Sequence, residues 1–219
     1  MKIQVVTSVL KANDAVAEVN RERLEEHGIL VLNITSAPGS GKTALLESTL
    51  TALAPELKCA VVVGDLQTTR DAERLEGKAA AVIQINTEGG CHLQATQVAE
   101  TLDGLPLGEI DLLFIENVGN MVCPAGYDLG EHLRVAMLST PEGPDKVAKY
   151  PTLFQPADAI VLNKMDLAGP LEFDASVAEG DLQQINTAAP FFKLSARSGE
   201  GMEAWLDWLR ARHAEMKKP

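Results

Sequence analysis

A glycine-rich run at residues 36–43 carries the groups that bind phosphate. It reads SAPGSGKT, with Ser36 where the usual consensus places its first glycine. Gly39 and Gly41 let successive backbone N–H groups turn towards phosphate oxygens, and a following helix would add its positive N-terminus. In such a loop the lysine neutralises the β- and γ-phosphates, and the next hydroxyl binds Mg²⁺. We therefore predict a P-loop whose nucleotide contacts come from Pro38, Gly39, Ser40, Gly41, Lys42, Thr43 and Ala44.

Two later runs indicate that the base is guanine. The run NKMD ends an apolar segment, and the Asp166 carboxylate there would accept both the N1 and N2 hydrogens of guanine, a pair that adenine does not offer. Asn163 would help to fix the loop and the base, and the Lys164 stem would lie over the ring. A second run, SAR, would donate a backbone N–H to guanine O6, although an ordinary strand-to-helix loop is the alternative there. Its residues are Ser195, Ala196 and Arg197.

Acidic residues that follow two other apolar segments predict hydrolysis. Glu116, in the run ENVGN, is placed to act on Mg²⁺ directly or through water, and the Gly119 N–H would meet the γ-phosphate. Asp65 would hold Mg²⁺ or the attacking water, with Asp71 as the second candidate; a helix-capping role is the alternative for Asp65. Phosphoryl transfer to water needs an in-line water and charge neutralisation. We predict a GTPase with Lys42, Asp65 and Glu116 as catalytic residues, and with Thr43, Asp65 and Glu116 around Mg²⁺.

A cysteine and a histidine stand side by side in the run EGGCHLQ. We expect Cys91 and His92 to begin a helix, whose N-terminus lowers the pKa of a thiol and favours the thiolate that binds metal. Cys123 lies in a loop that Pro124 keeps out of helix. It is four residues beyond Gly119, at most about 14 Å of extended chain. Cys123 is thereby tied to the segment that would sense the γ-phosphate.

Two thiolates and an imidazole suit Zn²⁺ or Ni²⁺ among divalent ions. Three ligands do not close a tetrahedron, so a water or a second copy of the site across a two-fold axis would complete it. The alternative is that the cysteines are small core residues without a metal, as we expect for Cys59 at the start of an apolar strand. We expect the remaining histidines to be solvated; they are His27, His132 and His213.

These candidate sites need a scaffold of alternating strands and helices. Short β-branched runs alternate with helix-permissive segments, and near-continuous apolar strands indicate burial on both faces of a sheet. We predict an α/β fold with a seven-stranded, mostly parallel sheet and helices on both faces, in which ligands bind at the carboxyl ends of the strands. The strands are expected at 29–35, 59–64, 80–85, 110–116, 134–139, 158–163 and 191–196.

A helix is expected at each end of this scaffold. The first covers 13–27; its markers are Asn13 as the cap, apolar Val16, Val19 and Leu24, and Gly28 as the terminator. The last is a closing amphipathic helix with Trp205 and Leu209 on one face. We predict a single GTPase domain over 1–219, made of a helical extension at 1–28 and a P-loop G domain at 29–219.

Composition limits the class of partner. The 219 residues carry a formal net charge of −12, which argues against a nucleic-acid or anionic-membrane partner. No apolar run reaches the roughly 20 residues that span a bilayer, and the N-terminal apolar stretch is too short and too broken for a signal peptide. Three widely spaced cysteines make no disulfide framework, so we expect a reducing, cytoplasmic compartment.

Nearly the whole chain, from about residue 10 onward, resembles the HypB family of GTPases. The resemblance is carried by the runs SAPGSGKT, EGGCHL, FIENVGNMVCPAGYDLGEH, PDKVAKYP and VLNKMDL, and its specific part is the Cys-His pair with the later Cys-Pro. It implies a SIMIBI-class GTPase that dimerises in its GTP state, binds Ni²⁺ or Zn²⁺ at Cys91, His92 and Cys123, and assists nickel insertion into NiFe-hydrogenase. The implied partners are a HypA-type nickel-binding accessory protein and the hydrogenase large-subunit precursor.

Three features depart from the family pattern. Residues 1–12 have neither Cys nor His, so we expect no separate nickel-storage site there. The P-loop lacks the extra lysine that many SIMIBI ATPases use across a dimer, which leaves Lys146 and Lys149 as candidates for a charge supplied in trans. Thr96, one helical turn beyond His92, adds no further imidazole.

Two other functions stay open. One is a GTPase that serves another nickel enzyme, such as the urease accessory type. That relative is expected to carry Cys-Pro-His, whereas Cys123 and Pro124 are followed here by Ala125. The other is a GTP-switched scaffold that recruits the hydrogenase precursor, in which the cysteines are merely structural.

Overall fold

One sheet organises the part of the chain that the computed structural model describes, residues 9–65 and 69–217. Seven strands are found in these residues: β1 (Leu30–Ser36), β2 (Cys59–Asp65), β3 (Ala81–Asn86), β4 (Leu112–Glu116), β5 (Leu133–Ser139), β6 (Ala159–Asn163) and β7 (Phe191–Lys193). Their spatial order is β3-β2-β4-β1-β5-β6-β7. Every neighbouring pair is parallel. The predicted α/β fold is confirmed, and the sheet is wholly rather than mostly parallel.

Helices and short 3₁₀ turns fill the connections between the strands. The helices are α1 (Val9–Glu26), α2 (Lys42–Leu53), α3 (Arg70–Leu75), α4 (Ala95–Leu102), α5 (Lys146–Lys149), α6 (Pro151–Phe154), α7 (Ala175–Ile185) and α8 (Met202–Met216). The 3₁₀ turns are Cys123–Gly126, Thr140–Glu142 and Met165–Leu167. Parallel strands cannot be joined by tight turns, so each connection must cross a face of the sheet.

The strand order brings the candidate residues to one edge of the sheet. The chain passes from one half of the sheet to the other between β4 and β5, which flank β1 on either side. In the register, Ile34 of β1 lies opposite Glu116 of β4, and Ser139 of β5 lies opposite Asn163 of β6. Ligands in such sheets bind beyond the carboxyl ends of the strands. The P-loop, which leaves β1 here, is therefore surrounded by the ends of its neighbours.

Both faces of the sheet are covered by apolar cores. Alternate residues of a strand point to opposite faces, so Leu32 of β1 joins a core with α2 and α8, while Val31 joins another with α1 and α4. Trp205 of α8 is fully buried in the first core, and its indole N–H donates to Thr49 Oγ1 at 2.9 Å. Leu209 is fully buried beside it, as predicted for the closing helix.

The first helix differs from its prediction in both start and face. It already includes Val9, so Asn13 lies within the helix and is not its cap. Val19, expected on the apolar face, is 61% exposed. The buried face consists instead of Asn13, Ala17, Asn20 and Leu24. Asparagine can occupy a buried face because its amide bonds to backbone groups of other segments, which helical periodicity of apolar residues does not reveal.

Two of the three histidines expected to be solvated are largely buried. His132 Nδ1 accepts a hydrogen bond from Val31 N at 3.0 Å, and His213 Nε2 lies 3.5 Å from Asp111 Oδ1. Burial lowers the pKa of both imidazoles. His27 is exposed as predicted. Cys59 is buried, also as predicted, and burial raises the pKa of its thiol to about 12.

Strand boundaries match the predictions within about two residues except at the last strand. The final strand ends at Lys193 rather than at residue 196, and the chain continues there as a loop. None of the helices in the described residues is both long and apolar enough to span a membrane. The division into 1–28 and 29–219 stays a prediction, and residues 1–8 of it lie outside the described residues.

Candidate nucleotide and metal site

The P-loop turns on two glycines with left-handed backbone conformations. Gly39 has a φ of 74° and Gly41 a φ of 97°, a region that other residues rarely adopt. A Cβ on Gly41 would also lie 2.6 Å from Asn163 Nδ2. Both glycines are therefore required for the tight turn between β1 and α2 that aims backbone N–H groups at an anion.

Lys42 is a buried cation among carboxylates. It is 8% exposed, and its Nζ donates to Ser36 Oγ at 3.2 Å. Burial lowers the pKa of Lys42, and the nearby carboxylates of Glu116, Asp71, Glu142 and Asp65 oppose that shift. A buried ammonium with several acidic neighbours is poised to exchange some of them for phosphate oxygens.

Thr43, the last residue of the P-loop run, contacts Glu116 at the end of β4. The Thr43 hydroxyl donates to Glu116 Oε1 at 2.8 Å, while Glu116 Oε2 is buried and has no hydrogen-bond partner in the described residues. Burial raises the pKa of Glu116 to about 7, against the opposing charge of Lys42. A hydroxyl and an unsatisfied carboxylate oxygen are hard ligands of the kind that Mg²⁺ prefers. The residues present therefore fit a magnesium ion.

The two aspartates proposed for magnesium or water lie near this group. Asp65 is the last residue of β2, and Asp71 is in the first turn of α3. Both act electrostatically on Lys42. Helix α3 begins at Arg70 with Thr69 as its N-cap, so the alternative that Asp65 caps the helix is wrong. Their roles at magnesium or water stay predictions.

The base-recognition runs line a cavity of about 880 Å³ beside the P-loop. Asn163 holds its two walls together, since Nδ2 donates to Ser40 O and Oδ1 accepts from Ala196 N, each at 3.0 Å. Lys164 is left-handed with a φ of 61°, and its Nζ donates to Gly39 O at 2.6 Å. Asp166 Oδ1 accepts from Ser195 Oγ at 2.7 Å, which orients the carboxylate.

The SAR run already uses two of its backbone donors. Ser195 N donates to Glu200 O at 2.9 Å and Ala196 N donates to Asn163 Oδ1. A guanine O6 that took a hydrogen bond from either group would have to displace one of these bonds. The run forms a loop after β7, whose carboxyl end lies beside that of β6, so the structure brings it to the NKMD run.

A charged cluster that the sequence did not predict lies on another wall of the same cavity. Glu47 of α2 pairs with Arg74 of α3 at 2.9 Å and with Lys78 at 3.1 Å, and all three residues line the cavity. Hydrogen bonds from Arg74 and Lys78 lower the pKa of Glu47. Arg74 lies in the same helix as Asp71, and Lys78 follows that helix. Only their position in the fold connects these two cations to the cavity.

The segment after β4 touches both the P-loop and the cysteine-histidine run. A Cβ on Gly119 would lie 2.8 Å from Pro38 Cα, so glycine is needed for this backbone contact. Asn117 is fully buried; its Oδ1 accepts from Leu93 N at 3.2 Å and its Nδ2 donates to Asn33 Oδ1 at 3.2 Å. The sequence did not predict the role of Asn117, because its hydrogen-bond partners are distant in sequence. Its position between Glu116 and Gly119 is the only feature of the sequence that could have indicated this role.

The three predicted metal ligands lie together. Potential ligand atoms of Cys91, His92 and Cys123 are all within 4.8 Å of one another, and Cys91 Sγ lies 3.5 Å from His92 Nδ1. His92 Nε2 is buried without a hydrogen-bond partner in the described residues. Burial lowers the pKa of His92 and so favours the neutral form that binds metal. Two thiols and an unsatisfied imidazole nitrogen fit a Ni²⁺ or Zn²⁺ ion.

The local structure around these ligands differs from the prediction. Cys91 and His92 precede α4 instead of starting it, because Gln94 is the N-cap and bonds reciprocally with Gln97 in a capping box. The predicted position of Cys91 and His92 at the start of a helix is therefore wrong. Cys123 begins a short 3₁₀ turn rather than lying in an open loop.

Three further contacts define the surroundings of the cluster. Asn120 Oδ1 accepts from Cys123 N at 3.4 Å, which orients the start of the turn. The neighbouring Cys91 thiol raises the pKa of Cys123. The Tyr127 ring, which sequence reasoning missed, packs on the His92 imidazole with centroids 3.9 Å apart. A ring against one face limits how the imidazole can turn.

The two lysines proposed to act in trans lie on α5. Lys149 pairs with Asp145, and Lys146 Nζ lies 5.4 Å from the centroid of the Tyr150 ring. Each therefore has a partner within its own chain. Their action across a dimer stays a prediction.

Several known proteins resemble this chain in sequence. A model described as the CobW/HypB/UreG nucleotide-binding domain matches residues 30–193. The hydrogenase maturation factor HypB of Escherichia coli K12 is 47% identical over 207 residues, 94% of this chain and 71% of that protein. The hydrogenase/urease maturation factor HypB of Helicobacter hepaticus is 43% identical over 217 residues, 97% of this chain and 89% of that protein.

Solved structures agree with these sequence matches. The structure of HypB from Helicobacter pylori in complex with nickel is similar, with a TM-score of 0.89 and 40% identity, covering 95% of this chain and 98% of that chain. HypB from Archaeoglobus fulgidus has a TM-score of 0.87 and 40% identity, covering 93% of this chain and 100% of that chain. The signal recognition particle receptor FtsY from Elizabethkingia anophelis, at 16% identity and a TM-score of 0.59 over 88% of this chain and 70% of that chain, shares the fold alone.

Proposed function

Since the chain belongs to the CobW/HypB/UreG family, and within it to the HypB hydrogenase maturation factors, we propose that it is a GTP-hydrolysing metallochaperone. It binds Ni²⁺ or Zn²⁺ and assists nickel insertion into NiFe-hydrogenase. The observation that carries this proposal is the continuity of two sites. Gly119 lies against Pro38 of the P-loop, and four residues later Cys123 lies with Cys91 and His92.

The phosphate-binding part of the site acts by positioning the phosphates and neutralising their charge. The P-loop amides and Lys42 hold the β- and γ-phosphates, and the Gly119 N–H meets the γ-phosphate. Thr43 and Glu116 would hold Mg²⁺, which when bound would neutralise charge that develops on the phosphates. Asp65, or Asp71 from α3, orients the attacking water. The buried, partly unsatisfied carboxylate of Glu116 supports this assignment.

The base-binding part of the site selects guanine through Asp166. Its carboxylate accepts the N1 and N2 hydrogens of guanine, and Ser195 Oγ keeps it oriented. Adenine lacks the N1 hydrogen, so it would leave a carboxylate oxygen unsatisfied. Asn163 joins the P-loop to the Ala196 loop, so a bound base would also be sensed at the phosphates.

The metal-binding part of the site carries nickel as cargo. The two thiols and the imidazole supply three ligands, and water or a second copy of the site in a GTP-dependent homodimer supplies the rest. Nucleotide state reaches these ligands by two routes. One is the tether from Gly119 to Cys123, and the other is the hydrogen bond from Leu93 N to Asn117 Oδ1.

The partners follow from this cargo role. A HypA-type nickel-binding accessory protein would exchange nickel with the cluster in the cytoplasm, and the large-subunit precursor of the hydrogenase would receive it. The names of the relatives as hydrogenase maturation factors support this assignment. The close approach of the three potential ligands, together with the unsatisfied His92 Nε2, argues against a scaffold in which the cysteines are merely structural.

A second client enzyme is favoured by one specific observation. The Helicobacter hepaticus relative is named a hydrogenase/urease maturation factor at 43% identity. A chain of this architecture can therefore be associated with two nickel enzymes. Restoration of each activity in a host that lacks its own family member would separate the clients; restoration of urease alone would overturn the hydrogenase assignment.

Nickel affinity in two nucleotide states tests the proposal. We expect the affinity with GDP to differ from that with a non-hydrolysable GTP analogue, and we expect Cys123→Ala to lose most nickel binding in both states. Cys59→Ala is the matched control, because Cys59 is buried away from the cluster. Identical affinities in the two states would reject the coupling, and unchanged binding by Cys123→Ala would reject the site.

A further inference from the structure

We propose that Asn13 and Asn20, on the buried face of α1, are positioning residues for the cluster of Cys91, His92 and Cys123. The helical extension is then a working part of the metal site. This inference rests on the proposed metal-binding function and deepens it. The two asparagines are 7% and 2% exposed, and their spacing of seven places them two turns apart on one helix face.

Each asparagine joins the two chain segments that carry the ligands. Asn13 Oδ1 accepts from Ala95 N at 2.9 Å, and its Nδ2 donates to Asp128 O at 2.7 Å. Asn20 Nδ2 donates to Ala95 O at 2.8 Å and to Leu129 O at 3.1 Å. Ala95 comes three residues after His92, and Asp128 comes five residues after Cys123. The four bonds therefore fix the spacing between the segment of Cys91 and His92 and the segment of Cys123.

The second segment passes this constraint directly to a ligand. Asp128 is adjacent to Tyr127, whose ring contacts the His92 imidazole at 3.9 Å. Arg21 of α1 reinforces the attachment, because its Nη2 donates to both carboxylate oxygens of Asp128 at 2.8 and 2.7 Å. A shift of α1 would therefore move the Tyr127 ring and release the imidazole.

Close packing leaves α1 little freedom to shift. A Cβ on Gly130, which has a φ of 94°, would lie 2.7 Å from both Ala17 O and Asn20 Cβ.

Groups that orient metal ligands from outside the coordination sphere typically contribute about 10- to 100-fold in metal affinity. Without them, the ligand segments would have to be ordered at the expense of binding energy.

The alternative is that the asparagines only stabilise the fold by satisfying buried backbone groups. The chain offers a matched control for that alternative in Asn186, at the end of α7. Its amide donates to Phe154 O, Gln155 O and Ala157 O at 2.9, 3.2 and 2.8 Å. Asn186 thus makes the same kind of bonds as Asn20, but it joins segments that contribute nothing to the metal cluster.

The test compares Asn20→Leu, which keeps the branching and the number of heavy atoms of the side chain but removes both donated bonds, with Asn186→Leu. Asn13→Asp keeps an acceptor for Ala95 N and removes the bond to Asp128 O. We call the pair of Asn13 and Asn20 the clamp, and Asn20→Leu and Asn13→Asp the clamp variants. Nickel affinity is measured by competition with a chromophoric chelator, together with GTP-analogue affinity and the thermal midpoint. We expect the clamp variants to bind nickel about tenfold more weakly with unchanged GTP-analogue affinity. Asn186→Leu should lower the midpoint and leave nickel affinity unchanged.

A metal-free readout separates this inference from the proposed function. Dibromobimane becomes fluorescent when it alkylates two neighbouring thiols, so its cross-linking of Cys91 to Cys123 reports their spacing. We expect slower cross-linking in Asn20→Leu and Asn13→Asp than in the wild type and in Asn186→Leu, with Cys123→Ala as the blank. If the wild type bound no nickel, the proposed function would fail while this readout still tested the clamp. The inference would be overturned if both clamp variants kept the wild-type cross-linking rate and nickel affinity. It would also be overturned if Asn186→Leu lost as much cross-linking rate and nickel affinity as the clamp variants.

Discussion

Replacing Glu116 by glutamine should change how the stability of the nucleotide-free protein depends on pH. Glu116 is 4% exposed, and one carboxylate oxygen has no hydrogen-bond partner in the described residues. Burial raises its pKa from 4.5 to about 7. The folded state therefore holds the proton more tightly than the unfolded state does. The resulting stabilisation is fully present below the unfolded pKa and is lost as the pH rises through about 7.

The expected magnitude follows from the size of this shift. One pKa unit corresponds to about 1.36 kcal/mol. Integration of the proton linkage from pH 5 to pH 8 gives a loss of about 2 to 3 kcal/mol from this group. In a chain of this size each kcal/mol moves the thermal midpoint by about 2–4 °C, so the loss corresponds to roughly 5–10 °C.

The assay is thermal unfolding of nucleotide-free and metal-free protein between pH 5 and pH 8. Glu116→Gln keeps an acceptor for the Thr43 hydroxyl, and any cost of its buried amide does not vary with pH. The difference in midpoint between the variant and the wild type should therefore shift in favour of the variant as the pH rises. Glu22→Gln, at an exposed position on α1, is the control and should show no such shift. A pH-independent difference for Glu116→Gln would refute the reasoning.

Three further predictions address the base, the core and the contact between the two sites. Asp166→Asn should weaken GTP binding and improve binding of xanthosine triphosphate, which presents an oxygen where guanine presents its N2 hydrogens; calorimetric titration with both nucleotides checks this. Trp205→Ala should cost about 3–5 kcal/mol of unfolding free energy in denaturant titrations, because the ring is fully buried. Gly119→Ala should slow GTP hydrolysis by roughly 10- to 100-fold, because its Cβ would force the backbone of Pro38 away. Gly126→Ala, where a Cβ meets no atom within 4 Å, should leave hydrolysis unchanged.

Much of the fold and of the candidate site could be predicted because the relevant signals are local. The phosphate loop and the NKMD run are each formed by consecutive residues. The chemistry of each can therefore be predicted without knowledge of which segments surround it in the fold. Apolar runs between helix-permissive segments predict parallel strands, and parallel strands bring their carboxyl ends to one edge. Glu116, Asn163 and the P-loop had to meet once the strand order was of this type. The short tether from Gly119 to Cys123 likewise limited where that thiol could lie.

Tertiary structure alone decided which polar residues are buried and what they bond to. The spacing of valines predicted an apolar face for α1 that includes Val19, yet the buried face carries Asn13 and Asn20. His132 Nδ1 and Asn117 Oδ1 similarly accept hydrogen bonds from backbone N–H groups of other segments, Val31 and Leu93. A buried amide or imidazole is stable only if a partner is present, and that partner is supplied by packing rather than by sequence neighbours. Residue types and spacing therefore determined the chemistry that this chain can perform, whereas the long-range hydrogen bonds determined how rigidly its groups are held.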